Sequence, residues 1–157
     1  MQTRPLTNDD YDHVVRVIDQ WWGGPTSALA HPMFFYELGQ MSRIVVTDNG
    51  DRVGFLFGFV TEANARATDH AAPLGAKVGY VHLVGIDPDY RRRGVARLLY
   101  SAFEHDCRTA GCVGLKAITT AGNEGSVRFH VALGWKVTEV EGYAGPGRTR
   151  FVFEKPL

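Results

Sequence analysis

The first apolar pattern along the chain has the spacing of an amphipathic helix. Thr7 stands three residues before Asp10, which resembles a capping box with Asp in place of the usual Glu. The apolar positions that follow are Tyr11, Val14, Val15, Ile18 and Trp22. Together they predict a helix over about 8–20. A second, short helix is predicted around His31 to Leu38.

Shorter apolar runs predict strands. Ile44 to Val46 and Val53 to Val60 flank the turn formers Asp48-Asn49-Gly50-Asp51, which predicts a hairpin. In the second run Phe55, Phe57 and Phe59 alternate and should share one face. The Ala-rich segment from Thr61 to Lys77 has no clear period. It is predicted to be a surface loop, with a flap over a site as the alternative.

The second half of the chain alternates strands with helices. Val78 to Ile86 is apolar nearly throughout, which predicts a central strand covered on both faces. A helix from Val95 to Ala110, ended by Gly111, follows it. The remaining predictions are a strand over 113–119, a helix over 123–133, and strands over 135–140 and 150–154. Strands joined by helices usually run parallel, so the order predicts an α/β core that includes a parallel pair.

Length and charge narrow the class of protein. At 157 residues the chain is expected to form one domain over 1–157. Seventeen Lys and Arg balance 17 Asp and Glu, which gives no general reason to expect nucleic acid or a membrane as partner. The N-terminal MQTRPLTNDDYD lacks an apolar core typical of a signal peptide, and the longest apolar run is too short to span a bilayer. A cytoplasmic location is the expectation.

The two cysteines give no metal signature. Cys107 falls in a predicted helix and Cys112 just after it, with no CxxC spacing and no paired histidine motif. We expect reduced thiols and no metal.

Residues 86–99, IDPDYRRRGVARLL, place three arginines where a helix begins. A helix start presents unpaired N–H groups and the positive end of the helix dipole. Gly94 and the small Ala96 let the backbone turn tightly and approach an anion. Arginine adds planar donors suited to phosphate oxygens. The stretch predicts an anion site, the alternative being an ordinary basic helix start on the surface.

Two signatures in this region resemble the GNAT (Gcn5-related N-acetyltransferase) superfamily. The family's pyrophosphate loop, Arg/Gln-x-x-Gly-x-Gly/Ala, is matched by Arg91-Arg-Arg-Gly94-Val-Ala96. Its second signature, Asn-x-x-Ala/Ser-x-x-Phe-Tyr followed by Leu-Gly-Phe, is matched from Asn123 to Trp135. The strong match covers about 80–137, and two signatures in order are more specific than either alone.

The resemblance implies a GNAT-like α/β (α+β) fold: a mixed, partly parallel sheet of about six or seven strands flanked by about four helices. It also implies acetyl-CoA as co-substrate, with the pyrophosphate on the backbone of Arg92 to Ala96 and the pantetheine arm between strands 78–86 and 113–119. Helical spacing separately puts Asn123, Ser126 and His130 near one face. The cofactor-binding candidates are Val84, Gly85, Ile86, Arg91, Arg92, Arg93, Gly94, Val95, Ala96, Asn123 and Ser126.

The implied reaction is attack of a neutral amine on the thioester. It needs a proton acceptor, oxyanion donors, for which backbone N–H groups of Val84 to Ile86 are the candidates, and a proton donor. The sequence departs from the family at two positions. His130 replaces the usual tyrosine acid, and either donates a proton or packs beside Phe129. Tyr143 or Tyr90 is the substitute donor.

The second departure is at Tyr80, which replaces the frequent strand glutamate of the family. His82 is the candidate proton acceptor, working through water, with a hydrogen-bonded core histidine as the alternative. It shares a face with Tyr80 and Val84 if no bulge intervenes.

The acceptor is the least specified partner. Aromatic residues of the first two helices, which often line the acceptor site in this family, are Trp21, Trp22, Phe34, Phe35 and Tyr36; most are expected to pack in the core. A small amine, an amino acid or a peptide N-terminus would fit, and a homodimer is compatible with the family. The alternative function is a non-catalytic acyl-CoA-binding regulatory domain, and the absence of a Walker-type loop disfavours a nucleotide enzyme.

Overall fold

The computed structural model describes residues 1–22, 24, 26–63 and 72–157. The strands are β1 (Gln2–Pro5), β2 (Arg43–Val46), β3 (Arg52–Glu62), β4 (Lys77–Ile86), β5 (Gly114–Thr120), β6 (Lys136–Val140) and β7 (Arg150–Pro156). The helices are α1 (Asn8–Trp22), α2 (Pro32–Tyr36), α3 (Val95–Thr109) and α4 (Glu124–Ala132), with short 3-10 turns at Ser27–Ala30, Gly39–Met41 and Pro88–Tyr90.

The seven strands are ordered β1-β2-β3-β4-β5-β7-β6 in one sheet. β4 and β5 pair in parallel, whereas β7 pairs antiparallel with both β5 and β6. The predicted parallel pair therefore exists, and β7 lies between the two strands that α4 joins. The predicted mixed sheet with about four flanking helices is confirmed.

Three predictions about elements need correction or fall outside the description. β1 was not predicted, since Gln2–Pro5 is short, polar and ends in proline, as an edge strand can. β4 is buried on one set of alternating positions, while Tyr80, His82, Val84 and Ile86 remain half-buried. Residues 64–71 of the predicted loop or flap lie outside the described residues.

By contacts, the chain divides into two compact units: Met1–Phe59 with His82–Asp106, and Val60–Val81 with Cys107–Leu157. The expectation of one domain stays a prediction. In the first unit, the core cluster comprises Tyr11, Val14, Ile18, Trp21, Ala30, Phe55, Phe57 and Leu83. Burying each large apolar side chain contributes roughly 1.5–3 kcal/mol.

The buried stripe of α1 differs from the predicted one. Trp21 is 7% exposed, whereas Trp22 is 45% and Val15 40% exposed. Spacings of three and four residues from Ile18 reach Trp21 and Trp22 equally well, so periodicity alone does not separate two adjacent tryptophans.

On the other face of β3, two glycines let α3 approach the sheet closely. A Cβ at Gly54 would lie 2.5 Å from Val95 Cγ1, and one at Gly58 would lie 2.4 Å from Phe103 Cε2. Both neighbouring side chains are buried. The glycines thus set the distance at which α3, and the turn before it, sit over the strand.

In the second unit, β5 and β7 share a seven-residue register from Gly114 opposite Pro156 to Thr120 opposite Arg150. Leu115, Ala117, Val152 and Phe153 are buried. Cys107 is buried against the start of β4, where a Cβ at Gly79 would lie 2.4 Å from its Sγ.

A buried carboxylate fixes the start of α1. Asp10 is fully buried and accepts hydrogen bonds from the guanidinium groups of Arg4 and Arg52. Its Oδ2 also accepts from the Thr7 backbone N–H at 2.9 Å, while Asp10 N–H donates to Thr7 Oγ1 at 3.4 Å. The predicted capping box is therefore formed. Burial raises the pKa of Asp10, but the bonds from Arg4, Arg52 and Thr7 outweigh it and hold that pKa well below its usual range.

We expect Asp10→Ala to lower the free energy of unfolding by about 3 kcal/mol, because it leaves two arginines without their shared partner and removes a helix cap. Since the pKa of Asp10 is depressed in the folded protein, its contribution is present above the pKa of an unfolded aspartate and is lost as pH falls through the folded value. Urea unfolding of both proteins at neutral and acidic pH measures this. Equal stabilities at neutral pH would contradict a stabilising role for Asp10.

Candidate active site

The turn between β4 and α3 has an unusual backbone. Asp87 caps the Pro88–Tyr90 turn by accepting from Asp89 N–H at 2.9 Å. Arg92 then has φ 61° and Gly94 has φ 82°. Arg92 is the one non-glycine residue with positive φ in the described part of the chain, and such strain concentrates at ligand-binding turns. Left-handed residues alternating with ordinary ones turn successive N–H groups into a concave nest.

The first turn of α3 supplies further donors. Leu98 N–H donates to the Gly94 carbonyl at 3.0 Å, so the N–H groups of Val95, Ala96 and Arg97 precede the first helical hydrogen bond. A Cβ at Gly94 would meet no atom within 4 Å among the described residues. The space beside this backbone is therefore free for an anion, which the dipole of α3 also favours.

The three arginine side chains of the turn have different environments. Arg91 Nη2 donates to the backbone carbonyl of Trp21. The Arg93 guanidinium lies over the Tyr90 ring, 5.1 Å from its centroid, a cation–π contact. Arg92 is exposed. The sequence predicts all three arginines as part of one anion site, and the structure adds a bond of the Arg91 side chain to the end of α1.

A bulge interrupts β4 just before the turn. Leu83 packs in the α1 cluster with Phe57. The ring of His82 stacks on Phe34 of α2, which stacks on Phe59 of the same β3 face. The consecutive residues His82 and Leu83 therefore project to the same side, as at a bulge, and Val84 does not share the face of His82.

The bulge coincides with the end of the β4–β5 ladder. The register runs from Val78 opposite Gly114 to Val81 opposite Ala117, although β4 continues to Ile86. Asp87 N–H donates to Val53 of β3, so by alternation Ile86 and Val84 direct their backbone groups away from β3. Trp22 Nε1–H donates to the Val84 carbonyl at 3.1 Å from that side.

His82 has a defined tautomer. Its Nε2 lies 2.8 Å from the Leu29 carbonyl oxygen, which can only accept, so Nε2 carries the proton and Nδ1 carries the lone pair of the neutral ring. Burial lowers the pKa of His82, and the Leu29 carbonyl opposes this shift. The ring lies 3.8 Å from Phe34, centroid to centroid. Neutral His82 can thus accept a proton at Nδ1 near pH 7.

The predicted site residues of α4 form hydrogen bonds within the helix and with Thr119 at the end of β5. The Asn123 side chain caps the helix by accepting from Ser126 N–H at 3.2 Å and donates to Thr119 Oγ1 at 3.0 Å. Ser126 carbonyl lies 2.8 Å from His130 Nδ1. The predicted shared face of Asn123, Ser126 and His130 is therefore present.

His130 is deeply packed in the second unit. Its ring stacks on Phe153 with centroids 3.9 Å apart and meets the edges of Phe129 and Trp135. The Ser126 carbonyl fixes the proton on Nδ1. Burial lowers the pKa of His130, and the Ser126 bond opposes it. A neutral ring in this tautomer presents an acceptor, not a donor, at Nε2.

Tyr80 of the second unit carries a half-buried phenol whose pKa Tyr143 affects. Tyr143 lies half-buried in the turn between β6 and β7. Burial, followed by the proximity of Tyr143, raises the pKa of Tyr80 to about 12. The Tyr80 phenol keeps its proton at neutral pH, so it can donate a hydrogen bond but cannot replace a glutamate as base.

The described residues contain no group of three or more His, Cys, Asp or Glu placed to hold a metal ion. Cys107 and Cys112 are buried, and neither forms a disulfide within the described part of the chain. None of the described helices is both long and apolar enough to cross a bilayer.

Comparison with known proteins supports the family resemblance of the two sequence signatures. The model of the acetyltransferase (GNAT) family matches residues 9–135. The chain is 39% identical over 96 residues to mycothiol acetyltransferase of Nocardia farcinica (strain IFM 10152), which covers 52% of this chain but 32% of that protein. The chain thus spans about a third of the length of this relative.

Solved structures share the fold at low sequence identity. Arabidopsis thaliana NAA60 in complex with acetyl-CoA superimposes with TM-score 0.76 at 16% identity, covering 99% of this chain and 98% of that one. Chaetomium thermophilum Naa20 in complex with a bisubstrate analogue gives 0.73 at 16% identity, covering 100% and 87%. The family resemblance of the two signatures is confirmed, and the chain belongs to the acetyltransferase (GNAT) family.

Proposed function

We propose that the chain transfers the acetyl group of acetyl-CoA to a primary amine of a small molecule, an amino acid or a peptide, by direct attack with both substrates bound. The observation that carries the proposal is the backbone of residues 91–96. Its left-handed Arg92 and Gly94 and the first turn of α3 present several N–H donors to open space. The family match supports the reaction class.

These residues fit the diphosphate of a coenzyme A thioester. Backbone N–H groups of Arg92 to Ala96 would bind its oxygens, and Arg93, held over Tyr90, would add positive charge. Bound there, the co-substrate supplies an activated acyl group. Proton acceptance, stabilisation of the oxyanion and proton donation are tasks for the side chains and backbone of this chain.

His82 is the proposed proton acceptor. An amine attacks only when unprotonated, and the lone pair at His82 Nδ1 takes its proton directly or through a water. The carbonyl of Leu29 holds the ring in the tautomer that this role requires. Burial keeps the ring neutral at physiological pH.

The proposed oxyanion site is the side of β4 that faces away from β3, beyond Val81. Val84 and Ile86 direct backbone N–H groups away from β3, past the end of the register with β5. Preorganised N–H donors of this kind stabilise negative charge that develops on a carbonyl oxygen.

The geometry of His130 argues against proton donation by its ring. The Nδ1–H of His130 is used by the Ser126 carbonyl, and burial disfavours the doubly protonated ring that Nε2 donation would need. We assign to His130 the packing of α4 on Phe153. Tyr143, a half-buried phenol in a turn, stays the predicted substitute donor.

The acceptor class rests on the comparisons. The curated relative is named for mycothiol acetylation and one structural neighbour carries a bisubstrate analogue. Beside His82, the half-buried Phe34 stacks on the imidazole and on the half-buried Phe59, and Trp22 lies at the Val84 carbonyl. These aromatic rings suit an amine that brings an apolar group. A homodimer remains compatible with this proposal.

The test is acetyl-CoA turnover with a panel of small amines, amino acids and peptides, read as free thiol release and as product mass. We expect at least one amine to stimulate release, and the product to gain one acetyl group. If acetyl-CoA binds in calorimetry but no amine stimulates release, the regulatory acyl-CoA-binding function is supported instead. Absence of coenzyme A binding would contradict both functions.

A further inference from the structure

The last two residues of α1 have separate roles. Trp21 is buried, and its ring lies 6.0 Å from that of Phe55, while its backbone carbonyl accepts the hydrogen bond from Arg91 Nη2. Trp22 is 45% exposed and donates its indole N–H to the Val84 carbonyl. The end of the helix is therefore bonded to the cofactor turn through one residue and to β4 through the next.

The bond from Arg91 provides a donor for a backbone carbonyl at the end of α1. The last carbonyls of a helix lack N–H partners, and a cation near them is favourable. The last turn of α1 contains no basic residue of its own. Arg91, 70 positions further along the chain, supplies both the donor and the charge.

Trp22 in turn stands beside the proposed oxyanion site. The Val84 carbonyl that receives its indole N–H lies on the same side of β4 as the Val84 N–H. The exposed part of the indole is thus at the segment of β4 where the amine must meet the thioester carbonyl. Its position depends on the last turn of α1, which Arg91 holds.

We propose that Arg91 is a positioning residue for the acceptor, acting through the end of α1 and Trp22, and is not a ligand of the cofactor phosphates. This inference rests on the proposed acetyl transfer. Arg91 then governs the KM for the amine, while the backbone of Arg92 to Ala96 governs the affinity for coenzyme A. Arg91 has further guanidinium N–H donors. The opposing hypothesis is that these donors bind the cofactor phosphates directly.

The kinetic test uses Arg91→Ala, Arg91→Lys and Trp22→Phe, with Arg108→Ala as the control for removal of an exposed arginine. For Arg91→Ala we expect the Kd of coenzyme A to stay within about twofold and the amine KM to rise about tenfold, the effect of one lost charged hydrogen bond. Trp22→Phe keeps a ring but loses the N–H, and should show the same split. Arg91→Lys should restore part of the amine KM.

A double variant tests whether the two residues act together. Arg91→Ala combined with Trp22→Phe should raise the amine KM no further than either change alone, because both break one chain of contacts. Additive effects on KM, or a Kd for coenzyme A raised tenfold by Arg91→Ala at unchanged amine KM, would overturn the proposal.

A readout without turnover separates this inference from the proposed function. The three tryptophans give three indole N–H signals in a nitrogen-15 spectrum, and Trp22→Phe identifies that of Trp22. We expect Arg91→Ala to speed hydrogen exchange of this N–H about tenfold, while Arg108→Ala does not. Unchanged exchange would refute the link between Arg91 and Trp22. A wild-type protein that acetylates no amine would contradict the proposed function and leave the exchange and Kd results to decide on Arg91.

Discussion

Gly94→Glu is expected to weaken coenzyme A binding by more than about 100-fold. A side chain at φ 82° costs about 1 kcal/mol of backbone strain, but a Cβ there meets no described atom within 4 Å, so the protein should still fold. The added carboxylate would project into the space beside the backbone N–H groups that we propose bind the diphosphate, and would repel it. Loss of two charged hydrogen bonds alone corresponds to more than about 100-fold in Kd. Calorimetric titration with coenzyme A measures it.

The chain offers a matched control at the other end of α3. Gly111 has φ 80° and equally open surroundings, so Gly111→Glu imposes the same strain and charge away from the cofactor turn. It should bind coenzyme A as the wild type does. Equal affinities of Gly94→Glu and wild type would show that the turn holds no diphosphate.

The second large effect is expected from His82→Phe, which should lower kcat by about 100-fold or more, the usual contribution of a general base. Phenylalanine keeps the stack on Phe34 and removes both nitrogens. The Kd of coenzyme A should not change. His82→Gln, which retains a donor for the Leu29 carbonyl, should lose as much activity and thereby separate the chemical from the structural role.

The pH profile gives an independent check. Proton acceptance needs neutral His82, whose pKa burial lowers below its ordinary value of 6.5. In the wild type, kcat/KM should therefore fall as pH drops through a midpoint below 6.5, and this limb should disappear in His82→Gln. His105→Gln, a change at an exposed histidine of α3, should keep the limb. A limb that persists without His82 would assign the base elsewhere.

Local chemistry made part of this site predictable. The glycine, the arginines and the helix start are contiguous in IDPDYRRRGVARLL, so the anion turn follows from neighbouring residues. The capping box likewise joins two residues, Thr7 and Asp10, only three positions apart. The parallel pair follows from the strand-helix-strand order.

The rest of the site depends on packing between distant residues. Arg91 and Trp21 are 70 positions apart, Trp22 and Val84 are 62 apart, and His82 and Leu29 are 53 apart. No periodicity reports such pairs. The sequence predicts Arg91 as a phosphate ligand because its motif is local, and it gives no sign of the bond from Arg91 to the end of α1.

The bulge in β4 has no sequence signature either, because the residues around His82 form an unbroken, mostly apolar run. It has a consequence for how this chain tolerates change in length. Removing a single residue there would restore regular alternation, so that His82 and Leu83 would project to opposite faces. Either the imidazole would leave Phe34 and the Leu29 carbonyl, or Leu83 would leave the core. A one-residue deletion would therefore remove either the proposed base from its position or a large side chain from the core of the first unit.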